Sequence, residues 1–253
     1  MAFLRSLLHM LWMLVTVVPC ALWLLGAALL GASGHRLYRI AVFWLGLSIS
    51  GAKHILGIRY QVQGQDHLPA PGQPVVVLVK HQSTYETFLM PVVMPNDLAY
   101  VFKRELLYVP FFGWAIGRLD MVHIDRKLKS QAFNRVVQQG RELLAKGIWV
   151  IMFPEGTRIE RGEAGKYKSG GARLAIETGV PVVPVAVNSA VCWPRKAFVK
   201  YPGCVTVSIG PMIPSIGREP DELIREVEHW IEGEMHRLDP LAYGAYAETA
   251  LTP

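Results

Sequence analysis

The chain has 253 residues, of which 51% are hydrophobic and 18% charged, with a mean hydropathy of +0.27. That length allows one catalytic-sized domain plus an appendage, and that composition excludes disorder as the dominant state and leans away from a freely soluble protein. The formal charge of +6 suits an anionic partner, yet no Lys/Arg run with interleaved aromatics, zinc-finger spacing or RNA-binding sheet motif is present, so nucleic acid is the weakest candidate beside lipid headgroups and phosphorylated substrates.

Taken in chain order, the first element is an uncharged apolar run from Ser6 to Gly34. It is long enough for a transmembrane helix, which needs about 20 such residues, although Arg5 before it and Gly31-Ala32-Ser33 after it also allow a cleavable signal peptide. A second uncharged run, Ile40 to Ala52, falls short of a hydrocarbon core about 30 Å thick and is expected to lie in one face of the bilayer. Arg36, Arg39, Lys53 and Arg59 gather around it. The positive-inside bias then places everything after Gly34 on the cytoplasmic side, predicting an inner-membrane protein whose catalytic domain faces the cytoplasm.

Residues 1–57 thus read as membrane-associated helices, 58–240 as a catalytic domain and 241–253 as a tail with no assigned role. Within the domain, Arg59 to Gln63 alternates as a strand, while Val75 to Val79, Ile148 to Phe153, Val182 to Val187 and Val205 to Ile209 are the continuous aliphatic runs of strands buried on both faces. Phe133, Val136, Val137, Gly140 and Leu143 follow helical spacing, Ser169 to Thr178 forms a short helix stopped at Gly179, and Pro220 to Leu238 is amphipathic. Strands alternating with helices predict an α/β domain with a mainly parallel central sheet flanked by helices. The cysteines, Cys20, Cys192 and Cys204, are too scattered for a disulfide framework or a zinc site, so no metal is expected.

Two segments carry chemistry. The first, Lys80-His81-Gln82-Ser83-Thr84-Tyr85-Glu86, follows the carboxyl end of a buried strand, where open α/β sheets bind ligands. On one regular helix His81 and Glu86 would diverge by about 140°, so His81 must sit in the turn and Glu86 on the helix after it. The spacing alone is weak, since eight histidines and 20 acidic residues give about 0.6 such pairs by chance. His229 and Glu234 repeat it on the amphipathic helix, where they read as solvated surface. Ser83 is a possible nucleophile but lacks a GxSxG elbow, which favours a capping role for its hydroxyl. The second segment is Phe153-Pro154-Glu155-Gly156-Thr157-Arg158, where Gly156 permits a tight turn and Arg158 is suited to gripping a phosphate; the bland alternative is a surface Glu155–Arg158 ion pair. Lys166 and Lys168 precede the next helix, but the P-loop order is absent.

Together His81 to Glu86, Lys103-Arg104-Glu105-Leu106 with Pro110, Gly113 and Trp114, Ile124-Asp125-Arg126, Phe153 to Arg158, and Val180 to Val185 resemble the four ordered motif blocks of the glycerolipid acyltransferases, and within them the bacterial lysophosphatidic acid acyltransferases. The resemblance spans about residues 75 to 187, and the apolar N-terminal segments resemble that family's membrane-docking helices. Two positions depart from the family pattern, which usually has aspartate at Glu86 and often asparagine at Lys80. The resemblance implies transfer of a fatty acyl group from acyl-CoA or acyl carrier protein, as co-substrate, to lysophosphatidic acid at the bilayer, giving phosphatidic acid without bound cofactor. His81 would be general base and Glu86 its partner. Arg158, with Lys103, Arg126 and Lys168, would hold the acceptor phosphate, and Glu155, Gly156, Thr157 and Pro184 would position substrate. Lys80 would touch phosphate or face solvent, and Pro110 to Trp114 would line the acyl chain or simply pack. A lipid hydrolase using Ser83 and a non-enzymatic membrane module are the competing readings.

Overall fold

A computed structural model describes residues 1–70, 72–124 and 129–244. Helix α1 (Ala2–Leu29) has 28 residues, about 42 Å at ~1.5 Å per residue. Only Ser6, His9, Ala21 and Leu24 on it are buried, whereas Trp12, Val15, Leu22 and Trp23 stand exposed. So much unpaired apolar surface is stable only against lipid, and the chain is accordingly membrane-associated through this helix. Helix α2 (Gly34–Gly51) starts at a Ser33 cap and ends in a π-helical turn, Ala52–Leu56, closed by left-handed Gly57. The indoles of Trp12 and Trp44 and the ring of His9 tie the two helices, bonding Leu47 O at 2.9 Å, Thr16 Oγ1 at 3.2 Å and Ser48 O at 3.0 Å. Gly51 admits this packing, because a Cβ there would lie 2.5 Å from Trp12 Cδ1.

The domain that follows contains β1 (Ile58–Gln63), β2 (Val76–Val79), α3 (Tyr85–Val93), β3 (Leu98–Lys103), α4 (Phe112–Ile116), β4 (Val122–Ile124), α5 (Lys129–Ala145), β5 (Trp149–Met152), α6 (Gly170–Thr178), β6 (Val182–Val187), β7 (Gly203–Ile209), α7 (Pro220–Leu238) and α8 (Pro240–Tyr243). The seven strands form one sheet in the order β1-β7-β6-β2-β5-β3-β4, parallel throughout except for the β6–β7 pair. The aliphatic runs occupy its centre. β1 alternates poorly, with Arg59, Tyr60 and Gln61 all exposed, because it is an edge strand with one neighbour. β3 and β4 carry no continuous aliphatic run and lie toward the opposite edge, β4 outermost.

Alternation along the central strands feeds two cores. Val75, Val77 and Val79 pack with Tyr85, Leu89 and Met90 of α3 and with Ile49, Ala52 and Leu56 beneath α2. Val76 and Leu78 face the other way, onto Val136 and Leu143 of α5, Leu174 of α6 and Leu223, Val227 and Ile231 of α7. The sheet is therefore covered on both faces, as its sequence pattern predicts. A smaller cluster joins Leu24, Leu37 and Ile40 to Ala115 and Leu119 beside α4.

The start of the tail belongs with the domain. Arg161 makes a bidentate pair with Asp239 at 2.6 and 2.7 Å, and Gln82 Nε2 donates to the Tyr243 hydroxyl at 2.5 Å. The Gln82–Tyr243 contact thus crosses a boundary at 240, which the aperiodic tail sequence does not betray. On α7 His229 is exposed and Glu234 pairs with Ser208 and Arg237, so the repeated His-x4-acid spacing there is surface.

Candidate active site

The turn from β2 to α3 brings His81 and Glu86 together. Glu86 lies on the first turn of α3 and reaches back, so that its Oε1 accepts from His81 Nδ1 at 2.9 Å and from the amides of Gln82 and Ser83 at 2.9 and 2.7 Å. Its Oε2 accepts from Ser189 Oγ at 2.5 Å. Four hydrogen bonds therefore hold a fully buried carboxylate. With Nδ1 as donor, the Nε2 lone pair is left for chemistry. The ring stacks on Phe153 with centroids 3.8 Å apart, which fixes its plane. Ser83 Oγ accepts from the Tyr85 amide at 3.0 Å and caps α3, and among the described residues no hydrogen bond joins it to His81.

The loop after β5 supplies cations to the same place. Arg158 Nη1 donates to Thr84 Oγ1 at 2.6 Å, which sets the guanidinium against the residue preceding α3. Gly156 has φ +67°, a backbone conformation that favours glycine, and the Lys168 ammonium crosses the turn where a Cβ would stand, 2.6 Å away. His81, Thr84, Gly156, Thr157, Arg158 and Lys168 all line one cavity of about 1020 Å³. Its other walls are apolar: Leu24, Ile40 and Trp44 from the N-terminal helices, Phe88 from α3, and Phe112 and Leu119 around α4. A charged end beside an imidazole and a long greasy remainder are what an anionic lipid with a fatty chain requires. Within the Pro110–Trp114 stretch, Phe112 lines the cavity, whereas Trp114 is half exposed on the outer surface.

Several residues fall elsewhere than the sequence suggests. Glu155 makes no ion pair with Arg158; it points inward, accepts the His81 amide at 3.2 Å and lies 3.7 Å from Lys80 Nζ. Burial pushes its carboxyl up to about 7 against the opposing pull of Lys80 and of its hydrogen bonds, and among the described residues its Oε2 has no hydrogen-bond partner. Lys80 neither lines the cavity nor faces solvent: it is wholly buried and pairs with Glu232 at 2.6 Å. A lysine in that setting is held by countercharge and carbonyls, a demand that overrides its usual surface preference. Pro184 also stands apart from the cavity lining, in the middle of β6 opposite Leu78, where its carbonyl accepts from Gly210. Its position in a central strand gives it a packing role. Lys103 closes β3, and Arg126 lies outside the described residues. Ser189 completes the site without any motif of its own, and Thr84 and Phe153, which lie inside the two motif segments, join it through their side chains. Each follows a buried strand's carboxyl end, which is the signal that marks them.

Known proteins resemble this chain in sequence and in fold. A family model described as Acyltransferase matches residues 59–188. The 1-acyl-sn-glycerol-3-phosphate acyltransferase of Pseudomonas aeruginosa is 43% identical over 208 residues, covering 81% of this chain and 80% of that one. The human 1-acyl-sn-glycerol-3-phosphate acyltransferase alpha is 34% identical over 182 residues, 71% of this chain and 63% of its own. The crystal structure of the 1-acyl-sn-glycerophosphate acyltransferase PlsC from Thermotoga maritima superposes with a TM-score of 0.77 at 24% identity, over 94% of this chain and 98% of that one, and shares the fold. With a family model matching residues 59–188 and relatives this similar over most of its length, the chain belongs to the acyltransferase family.

Proposed function

We propose that the chain transfers a fatty acyl group from an acyl thioester to the sn-2 hydroxyl of 1-acyl-glycerol-3-phosphate, giving phosphatidic acid for phospholipid synthesis. The observation that carries this reading is the His81–Glu86 pair at the charged end of an otherwise apolar cavity, beside Arg158. The relatives' names supply the acceptor; the cavity has the chemistry to take it. Coenzyme A and acyl carrier protein are both suitable donors, and another lyso-lipid with a phosphate is the nearest alternative acceptor.

An alcohol is a weak nucleophile near neutral pH. His81 Nε2 accepts its proton as the oxygen attacks the thioester carbonyl, forming a tetrahedral intermediate. The C–S bond then breaks, the acyl group stays on the new ester oxygen, and the departing thiolate takes the proton back from the imidazolium. Glu86 holds Nδ1–H and stabilises the charged ring between the two steps without itself becoming protonated. Arg158 and Lys168 bind the acceptor phosphate and fix the hydroxyl's distance from Nε2. The acyl chain runs along the wall made by α1, α2 and Phe112. Hydrolysis through Ser83 is disfavoured, because its hydroxyl is engaged at the start of α3.

Residues 1–57 form the membrane unit in this reading. The exposed cations Arg36, Arg39, Lys53 and Arg59 support a catalytic domain on the cytoplasmic face of the inner membrane through the positive-inside bias. Purified protein in detergent, given acyl thioester and a panel of lyso-lipids, should release free thiol only when a lysophosphatidate is present. His81→Ala should lower that rate by about 10²–10⁴-fold and leave membrane association unchanged. Thiol release independent of acceptor, or near-normal turnover by His81→Ala, would remove this function.

A further inference from the structure

The buried ammonium behind the catalytic turn has a geometry that the acyl-transfer mechanism alone does not use. Lys80 Nζ donates to Glu163 O and Ala164 O, each at 3.0 Å, and to Glu232 Oε1 at 2.6 Å. Three donors thus meet three acceptors, and the Glu155 carboxylate stands 3.7 Å away as a fourth neighbour. Glu232 also accepts from the Tyr167 hydroxyl at 2.7 Å. Lys80 and Glu155 are completely buried as side chains and Glu232 is partly buried.

Four pieces of chain converge on this one nitrogen: the end of β2, the Glu155 turn, the loop of residues 160–168, and α7. Two of them carry the reacting parts. Lys80 immediately precedes His81, whose amide is held by Glu155 and whose carbonyl accepts from Ile159 at 2.8 Å. The loop leads to Lys168, whose amide bonds Pro154 O at 3.0 Å and whose ammonium lies over Gly156. From this convergence we propose that Lys80 and Glu232 are positioning residues for acyl transfer, the joint that fixes the span between His81 and the cationic end of the cavity. Neither touches substrate: both are absent from the cavity lining. Glu232 also lies beyond the residues 59–188 that the family model matches, so no motif includes it.

The proposal rests on the acyl-transfer reading, and its test separates the two. Lysophosphatidate-dependent thiol release by the wild-type, full-length protein is the control, and its absence defeats the function rather than the joint. Glu232→Ala removes the countercharge and Tyr167's acceptor. Rates normalised to the folded fraction, taken from thermal unfolding in the same detergent, should then show kcat down by about 10–100-fold and the acceptor KM raised, with the donor KM unchanged, because misplacement of about 1 Å has costs of this order. Glu232→Gln keeps an acceptor oxygen in place and should recover most of the loss. Glu232→Asp keeps the charge but retracts it, and should show the same kcat and acceptor-KM pattern a few-fold, in a chain whose fold is least disturbed. A purely structural pair would lower the folded fraction alone. Wild-type kcat and KM values in the folded fraction of both Glu232→Ala and Glu232→Asp would overturn the assignment.

Discussion

Glu86 is fixed before it meets His81: the oxygen that accepts Nδ1 at 2.9 Å is already held by two backbone amides, while Ser189 holds the other. The pair is a built orientation, with the imidazole brought to a carboxylate that cannot swing away. Glu86→Gln preserves an acceptor oxygen but removes the charge that stabilises the imidazolium, and is expected to lower kcat by about 10²–10⁴-fold. Glu86→Asp keeps the charge on a side chain shorter by roughly 1.5 Å and should retain more activity. Equal, wild-type turnover by both variants would make Glu86 a bystander.

Ser189 acts one bond further out. Ser189→Ala strips a charge-assisted hydrogen bond of about 1.5–3 kcal/mol from Glu86 and leaves Oε2 buried without a donor. The expected result is a kcat lowered by about 10-fold, with both KM values unchanged. A steady-state comparison with saturating donor and acceptor reads this directly, and a change confined to acceptor KM would contradict it.

Arg158 is expected to show the opposite split. Its bond to Thr84 Oγ1 aims the guanidinium into the cavity end next to His81. Arg158→Ala should raise the acceptor KM by about 10- to 150-fold, the equivalent of one lost charged contact of about 1.5–3 kcal/mol, with donor KM little altered. An unchanged acceptor dependence would mean the phosphate binds elsewhere.

Glu155 links the site to stability. Its carboxyl is raised from an ordinary 4.5 to about 7 by burial. Between those pH values the fold retains a proton that the unfolded chain has released, so this residue's contribution to stability declines as pH rises through the window and levels off above it. Glu155→Gln cannot titrate. The stability of wild type relative to this variant should therefore fall by up to ~3 kcal/mol from pH 4 to pH 8, measured by unfolding in detergent. A difference constant across that range would show that burial does not raise the Glu155 carboxyl above its unfolded value.

The sheet and the His81–Glu86 pair are legible in the sequence for a common reason: both are local. Four aliphatic runs identify central strands because those strands are buried on both faces, and a turn followed by a helix brings residues five apart into contact. β3 and β4 escape because neither carries a continuous aliphatic run: β4 is a three-residue edge strand, and β3, paired on both sides, mixes aromatic with aliphatic residues. The partners of the site are illegible because distance along the chain hides them. Ser189 meets Glu86 from 103 positions away, and Glu232 meets Lys80 from 152. Lys80, which reads as touching phosphate or facing solvent, is seen to be enclosed only once α7 covers it, and Glu155 turns inward to Lys80 and the His81 amide, away from the surface ion pair with Arg158 that is its bland alternative.

The contacts made by the last helices also impose an order on synthesis. Gln82 waits for Tyr243, Arg161 for Asp239 and Lys80 for Glu232, whereas the greasy first 29 residues leave the ribosome long before any of these. The growing chain therefore exposes its apolar helix before the residues that brace the catalytic turn from α7 and α8 have been made.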